Sequence, residues 1–436
     1  MSMKNQKKPE KRDTYQSPRW SNEFLDCSMP MTFDQYNLCS YKCQYCFSFY
    51  QRIHSSKDYA ENHIRWVNVD KVKKIFLEPD SSQFGEYVKA RIPLQWGGLS
   101  EPFDLLEPHL GVGLKLMKFF REIDYPVAFS TKSVWFIRDK RYIDVLKGAK
   151  NFHFKWSIIT LDIEKARLIE QGVPTPQERL EAMGEVAKWG TAGVNLRLRP
   201  FLLGVSNPTH LNLIRESAKR GIQAVTTEFF CLESRADLKV KKRYVILSKA
   251  CGFDIWQFYR KYTKGSGYRR LNYEVKRPFI EEMQELCKEL HIGFFVSDAH
   301  HKEKCALADG CRWGSCCGLP NDKYFSNYAK CQFTEAITIA KEKGEVRFSD
   351  ITKNEHRYLK QVMWKEAQGL NQGTSEARLK NWNRTLFDLM RFIWNNPKRA
   401  NSPWRYFDKM MIPTSVDEDG NVIYSFNSKK YENRAK

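Results

Sequence analysis

Cys39, Cys43 and Cys46 lie in the run Asn37-Leu38-Cys39-Ser40-Tyr41-Lys42-Cys43-Gln44-Tyr45-Cys46-Phe47, a C-x3-C-x2-C spacing with an aromatic residue before the third cysteine. A cubane [4Fe–4S] cluster has four irons and is normally held by four thiolates. A compact loop that supplies only three leaves one iron open to an exogenous ligand. A zinc knuckle and unrelated core thiols are the competing readings. Zinc takes four ligands, usually from paired C-x2-C elements, and the next cysteine along the chain is Cys231. The expectation is a three-thiolate cluster loop.

Such a loop needs a scaffold, and the chain is long enough for one. It has 436 residues, 42% of them hydrophobic, which suffices for one large domain with appendages. No apolar run approaches ~18 residues, so no membrane-spanning helix is expected. The N-terminal Met1-Ser2-Met3-Lys4-Asn5-Gln6-Lys7-Lys8 lacks the apolar stretch of a secretory signal. Twelve cysteines in an unexported chain favour metal ligation over disulfides, and a cytoplasmic setting is expected. The net charge of +21 is a field that a polyanion would exploit and a small polar substrate would not need.

Strand-like and helix-like segments alternate from about residue 28. Strands are expected at 29–33, 91–96, 127–131, 152–159, 194–199, 222–229 and 292–296, with helices at 69–77, 105–123 (interrupted near Gly111 and Gly113), 141–146 and 177–189 between them. A further helix should start at Asn207 as cap, with Pro208 at its first position. This alternation implies an α/β fold with a parallel sheet of about six units, too few for a closed eight-fold barrel. Active residues then belong on loops at the C-terminal ends of the strands. The expected organisation is a basic disordered arm over 1–25, the sheet domain over 26–300 with an insert at 231–277, a cysteine-rich segment over 301–335, and a helical extension over 336–436 with helices at 355–367 and 376–394, ending in a hairpin that turns at Asp419-Gly420.

Several strand ends carry polar residues suited to a ligand. Gly97-Gly98-Leu99-Ser100-Glu101-Pro102 follows the second strand, where paired glycines let backbone approach closely and Ser100 and Glu101 can bond an ammonium. Ser130-Thr131-Lys132-Ser133 follows the third strand and Lys155-Trp156-Ser157 ends the fourth. Ile169-Glu170-Gln171-Gly172-Val173-Pro174-Thr175-Pro176-Gln177-Glu178-Arg179-Leu180 comes next. With the cysteine loop, this order resembles the spore photoproduct lyase-like branch of the radical S-adenosylmethionine (SAM) superfamily over roughly residues 28–230. The resemblance implies a partial (β/α)6 barrel and a [4Fe–4S] cluster whose open iron takes the amino and carboxylate groups of SAM. An electron from the cluster then breaks a carbon–sulfur bond and releases a 5′-deoxyadenosyl radical. It also implies that Gly97, Gly98, Ser100 and Glu101 flank the SAM amino group, that Lys132 and Ser157 meet its carboxylate, and that Arg197 and Arg199 face adenosine or substrate. Alternatively, Arg199 simply pairs with Glu170 or Asp162. The implied substrate is a nucleic-acid base, DNA before RNA, and the implied reductant an external donor such as flavodoxin or ferredoxin.

The chain departs from the lyase pattern in having no cysteine between Cys46 and Cys231 to return a hydrogen atom to a repaired base. Five more thiols, Cys305, Cys311, Cys316, Cys317 and Cys331, fall within 27 residues, after His300 and His301. Cys305, Cys311, Cys316 and Cys331 could close a second Fe–S cluster or a zinc site, and Cys316 or Cys317 could serve as hydrogen-atom donor. The insert adds a cationic, aromatic stretch. Residues 239–277 hold twelve Lys/Arg, two acids and eight aromatics, a mixture suited to phosphates and unstacked bases. Alternatively, those aromatics are the core of a small subdomain. A peptide or small-metabolite substrate, and a non-catalytic iron–sulfur protein that binds nucleic acid, are the alternative functions.

Overall fold

The computed structural model describes residues 14–20, 29–52, 63–234, 238–263, 268–298, 318–320, 322–325, 333–352, 386–399 and 402–435. Seven parallel strands form its central sheet in chain order: β1 (Met31–Phe33), β2 (Leu94–Trp96), β3 (Val127–Thr131), β4 (Phe152–Ser157), β5 (Gly193–Phe201), β6 (Ala224–Phe229) and β7 (Gly293–Val296). Neighbours in sequence are neighbours in space throughout, as an open partial barrel requires. All seven expected strands are present.

The two faces of the sheet differ because side chains alternate along each strand. On one face, Phe129, Phe154 and Trp156 pack with Phe103 and Phe136; the last two stack at 3.7 Å between centroids. Helices cover this face. They include α1 (Val69–Leu77), α2 (Val112–Glu122), α3 (Lys140–Leu146), α4 (Ile163–Ile169), α5 (Pro176–Ala187) and α6 (His210–Ala218). Helix α5 begins with a capping box between Thr175 and Glu178, with Pro176 in its first turn. The opposite face is polar: Gln95, Ser130, Lys155, Asn195, Arg197, Thr226 and Glu228 occupy the intervening positions. Gln95 Nε2 donates to Ser130 Oγ at 3.0 Å, and the buried Lys155 ammonium donates to the Gln95 carbonyl.

Residues 14–20 correct the expectation of a disordered arm. Arg19–Trp20 pairs antiparallel with β1 at the sheet edge, and Arg19 forms a 2.6 Å ion pair with the buried Asp34. A basic segment is ordered here because its charge finds a buried carboxylate. The helix expected from Asn207 starts later, at His210, because the Asn207 side chain accepts from Gly204 N at 2.6 Å instead of capping. The predicted helix over 105–123 is split at Gly111, whose φ of 61° favours glycine.

The insert contains α7 (Leu238–Cys251), α8 (Ile255–Lys261) and the ribbon Leu232–Glu233 with Tyr268–Arg269, and α9 (Tyr273–Glu289) leads from it to β7. Among the described residues of the C-terminal region, Met411–Val416 and Val422–Phe426 form the predicted hairpin, joined by Glu345–Val346 into a three-stranded sheet. Helix Leu386–Trp394 packs on it, with Trp394 Nε1 donating to Val422 O at 2.6 Å. The rest of the helices expected over 355–367 and 376–394 lies outside the described residues. No described helix is long and apolar enough to cross a membrane.

At the far end of the sheet, the ammonium of Lys276 on α9 donates to Asp298 just past β7, and both side chains are buried. Replacing Lys276 by Met strands that carboxylate, and unfolding in urea should show a loss of about 3–5 kcal/mol. The double variant Lys276→Met/Asp298→Asn should recover much of it. A single variant within ~1 kcal/mol of wild type would mean the pair is not needed to anchor α9.

Candidate functional site

The cysteine loop leaves the C-terminal end of β1 and is fastened on two sides. On one, Asp104 accepts from Ser40 N at 2.7 Å and from the Ser40 hydroxyl. On the other, Lys42–Cys43 pairs antiparallel with Glu170–Gln171, and Gln44 N donates to Ile169 O at 2.8 Å. Beneath this pairing lies a buried ionic cluster. The Tyr45 hydroxyl donates to Glu170, Arg179 forms an ion pair with Glu170, and Arg179 Nη1 donates to Ser157 O at 2.7 Å. Burial by itself would raise the Glu170 carboxyl, but the Arg179 guanidinium overrides it and holds the pKa below 4.5.

Cys43 is buried, and Cys39 and Cys46 are partly exposed. Burial pushes the Cys39 thiol well up, helped by the Asp104 and Glu101 charges and by the other two thiols. Burial also raises Cys43 to about 12, against the pull of the Lys132 ammonium. Thiols in this setting become thiolates when cations take up the charge, as metal binding does. Among the described residues, no group of three His, Cys, Asp or Glu side chains is placed to hold a single metal ion. A cubane needs no such convergence on one point, because its ligands bind separate irons. The remaining described cysteines, Cys231, Cys251 and Cys287, belong to the insert, α7 and α9. The residues present fit a three-thiolate cluster.

The Gly97–Glu101 turn stands beside this loop. Gly97 has φ of 92°, and a Cβ there would lie 2.5 Å from Ser130 O, so only glycine fits. At Gly98 a Cβ would come no closer than 3.3 Å to any neighbour. Asp34 ties the turn to β1 by accepting from Leu99 N, Ser100 N and Ser100 Oγ at 2.9, 2.7 and 3.1 Å. Glu101 is buried and accepts from the Thr131 hydroxyl, Lys132 N at 2.9 Å and Phe103 N at 3.1 Å. Burial outweighs those bonds and pushes its pKa up to about 7. Ser100 and Glu101 therefore have internal partners and hold the turn in shape.

Lys132 sits at the end of β3 with its ammonium 5.7 Å from the Tyr45 ring centroid, beside the cysteine loop. Ser157 ends β4, buried, and its hydroxyl accepts from Arg197 at 3.4 Å. Arg199 pairs with Glu228 on the neighbouring β6, replacing the expected Glu170 or Asp162, because parallel register sets β5 against β6 while Arg179 already holds Glu170. Gly97, Lys132 and Ser157 thus gather at the thiol end of the sheet mouth, and Arg199 marks the other half. Cys305, Cys311, Cys316, Cys317 and Cys331 lie outside the described residues. The next described residue, Gly318, rests against the polar face, where its carbonyl accepts from Asn195 Nδ2 at 2.6 Å. Sequence reasoning does not single out Asp34 or Arg179, nor give Tyr45 its role as a donor to Glu170. The Pro-Thr-Pro-Gln-Glu-Arg run is the available signal for Arg179.

Six of the insert's eight aromatics turn toward the core. Tyr244 and Tyr259 are buried, and Phe253, Trp256, Phe258 and Tyr262 pack against the core. The basic stretch 264–267 lies outside the described residues.

No family model and no curated protein matches the chain. Among solved structures, spore photoproduct lyase complexed with dinucleoside spore photoproduct is similar, with a TM-score of 0.48 and 18% identity over 65% of this chain and 80% of that one. A doubly substituted form of the same lyase, with bound AdoMet and dinucleoside spore photoproduct, gives a TM-score of 0.46 and 18% identity, over 64% and 80%. Streptococcus suis SuiB bound to S-adenosylmethionine gives 0.41 and 14%, over 63% and 52%.

Arg179→Met should destabilise the chain by about 3–5 kcal/mol in denaturant unfolding, because Glu170 is left buried and unpaired. The Glu170 carboxyl is depressed in the folded state. Its contribution is therefore complete above pH ~4.5 and is lost as pH falls through the lower folded value. The variant's Glu170, buried without its guanidinium, takes up a proton more readily than the wild type's, so the wild-type advantage over Arg179→Met should shrink as pH falls from neutrality, and a constant gap down to pH ~3 would refute the coupling.

Proposed function

We propose that this chain is a radical SAM enzyme acting on a nucleic-acid base, a pyrimidine in DNA before one in RNA. The observation that carries the reading is a loop bearing three free thiols, a glycine-only turn at Gly97 and the Lys132 ammonium at the C-terminal end of one parallel sheet. Cys39, Cys43 and Cys46 would hold a [4Fe–4S] cluster, which with SAM would supply a 5′-deoxyadenosyl radical there. The chain's own residues do the rest. Gly97 and Gly98 admit the SAM amino group, Lys132 and Ser157 receive its carboxylate, and Asp34 and Glu101 keep the turn in register. The polar face beyond, with Arg197 and the Arg199–Glu228 pair, offers donors and acceptors to the substrate.

The net charge of +21 supports a polyanion. With six of the insert's eight aromatics packed inward, that support comes from cations and not from stacking platforms. A flavodoxin- or ferredoxin-type protein is the proposed reductant. Cys316 or Cys317 is the proposed hydrogen-atom donor. An auxiliary Fe–S site using Cys305, Cys311, Cys316 and Cys331 is the competing use of those thiols.

Anaerobically reconstituted protein should show a SAM-responsive cluster signal by EPR that Cys46→Ala abolishes. With reductant and perdeuterated oligonucleotides, deuterium should enter 5′-deoxyadenosine, and binding should weaken steeply with salt. Transfer from a small metabolite or peptide, with neither DNA nor RNA labelled, would refute the substrate assignment.

Iron analysis separates the two roles of the later cysteines. If they donate hydrogen, iron stays near four per chain in wild type and in Cys311→Ala/Cys316→Ala, and Cys317→Ala or Cys316→Ala lowers product without lowering 5′-deoxyadenosine. About eight irons in wild type, halved in the double variant, would favour the auxiliary cluster instead.

A further inference from the structure

Helix α7 of the insert reaches the cysteine loop from outside the sheet. Arg243 Nη1 donates to the carbonyl oxygen of Cys43 at 2.8 Å, a contact between residues 200 positions apart in the chain. Its guanidinium carbon lies only 3.4 Å from the centroid of the Phe49 ring. The neighbouring Tyr244 is buried, packs 5.7 Å from Tyr50, and has its hydroxyl held by Glu233 N at 2.8 Å and Glu233 O at 3.0 Å. The stem of Arg243 is thereby anchored on a rigid base. Among the described residues, no carboxylate forms an ion pair with Arg243.

We propose that Arg243 is a positioning residue for the iron–sulfur centre, which fixes the backbone of Cys43 and raises the reduction potential of the cluster; this rests on the reading that Cys39, Cys43 and Cys46 hold that cluster. Net charge and hydrogen bonding around a cluster set its potential. Reduction adds negative charge, and a fixed cation one peptide group from a ligand favours the reduced form. A guanidinium suits the task because it stacks on Phe49 with its face while donating with its edge, which an ammonium cannot do. The insert, read from sequence as a nucleic-acid element, then also contributes to the cofactor site.

The test compares full-length wild type, Arg243→Lys and Arg243→Met by EPR-monitored redox titration, and by amide hydrogen exchange in the iron-free chain. The amides to follow are Gln44, which donates to Ile169 O at 2.8 Å, and Cys46, which donates to Cys43 O at 3.2 Å. Arg243→Met should lower the potential by ~59 mV, about tenfold in the one-electron equilibrium, and speed both amides several-fold. Arg243→Lys should keep most of the potential and lose part of the protection. An unchanged potential in Arg243→Met with full iron, or wild-type exchange, overturns the proposal. Iron retained in Arg243→Lys but lost in Arg243→Met supports it, and loss in both alike overturns it. A wild-type chain that takes up no iron refutes the cluster reading instead, and exchange then decides whether Arg243 orders the loop.

Discussion

The buried pairing of Arg179 with Glu170 is the interaction on which the sheet mouth depends. It joins four separate pieces of chain: α5 supplies the guanidinium, the end of α4 the carboxylate, the cysteine loop Tyr45, and β4 the Ser157 carbonyl. A charged pair without water is tolerated only when every lone pair and proton is met. Here Tyr45 and Ser157 complete it. The position of the cysteine loop over the sheet follows from that requirement, since Cys43 is the residue that pairs with Glu170.

A second constraint is the division of the sheet into an aromatic and a polar face. Stacked rings from Phe103, Phe136 and Trp156 fill the helix side, so the sheet stands without help from the other face. That frees the opposite face to carry Gln95, Lys155, Asn195 and Arg197 and still remain folded. Buried polar groups of this kind persist because they are partnered: Gln95 by Ser130 and Lys155, Asn195 by the Gly318 carbonyl, and Arg197 by Ser157. The result is a surface able to hold a polar ligand next to the thiols.

The insert illustrates how composition misleads about role. Cations and aromatics side by side suggest a strand-binding surface, yet most of the rings pack into the core that the insert shares with the sheet. One of the cations, Arg243, is directed at the cysteine loop and not at solvent. Residue types alone do not distinguish a ring that stacks on a base from one that packs on its neighbour.

The sequence by itself determined the scaffold and the candidate ligands. Spacing alone singled out Cys39, Cys43 and Cys46, and the alternation of short strand-like runs with helix-like segments, punctuated by turn residues, placed all seven parallel strands. It could not assign partners between distant segments. Asp34 and Ser100, Glu101 and Thr131, and Arg199 and Glu228 meet through strand register. Asn207 looked like a cap until the Gly204 amide took its side chain. Arg243 and Cys43 are brought together only by docking of α7 on the loop. Tertiary structure decided these because a hydrogen bond depends on where two groups lie in space, and local sequence carries no record of a contact made 200 residues away.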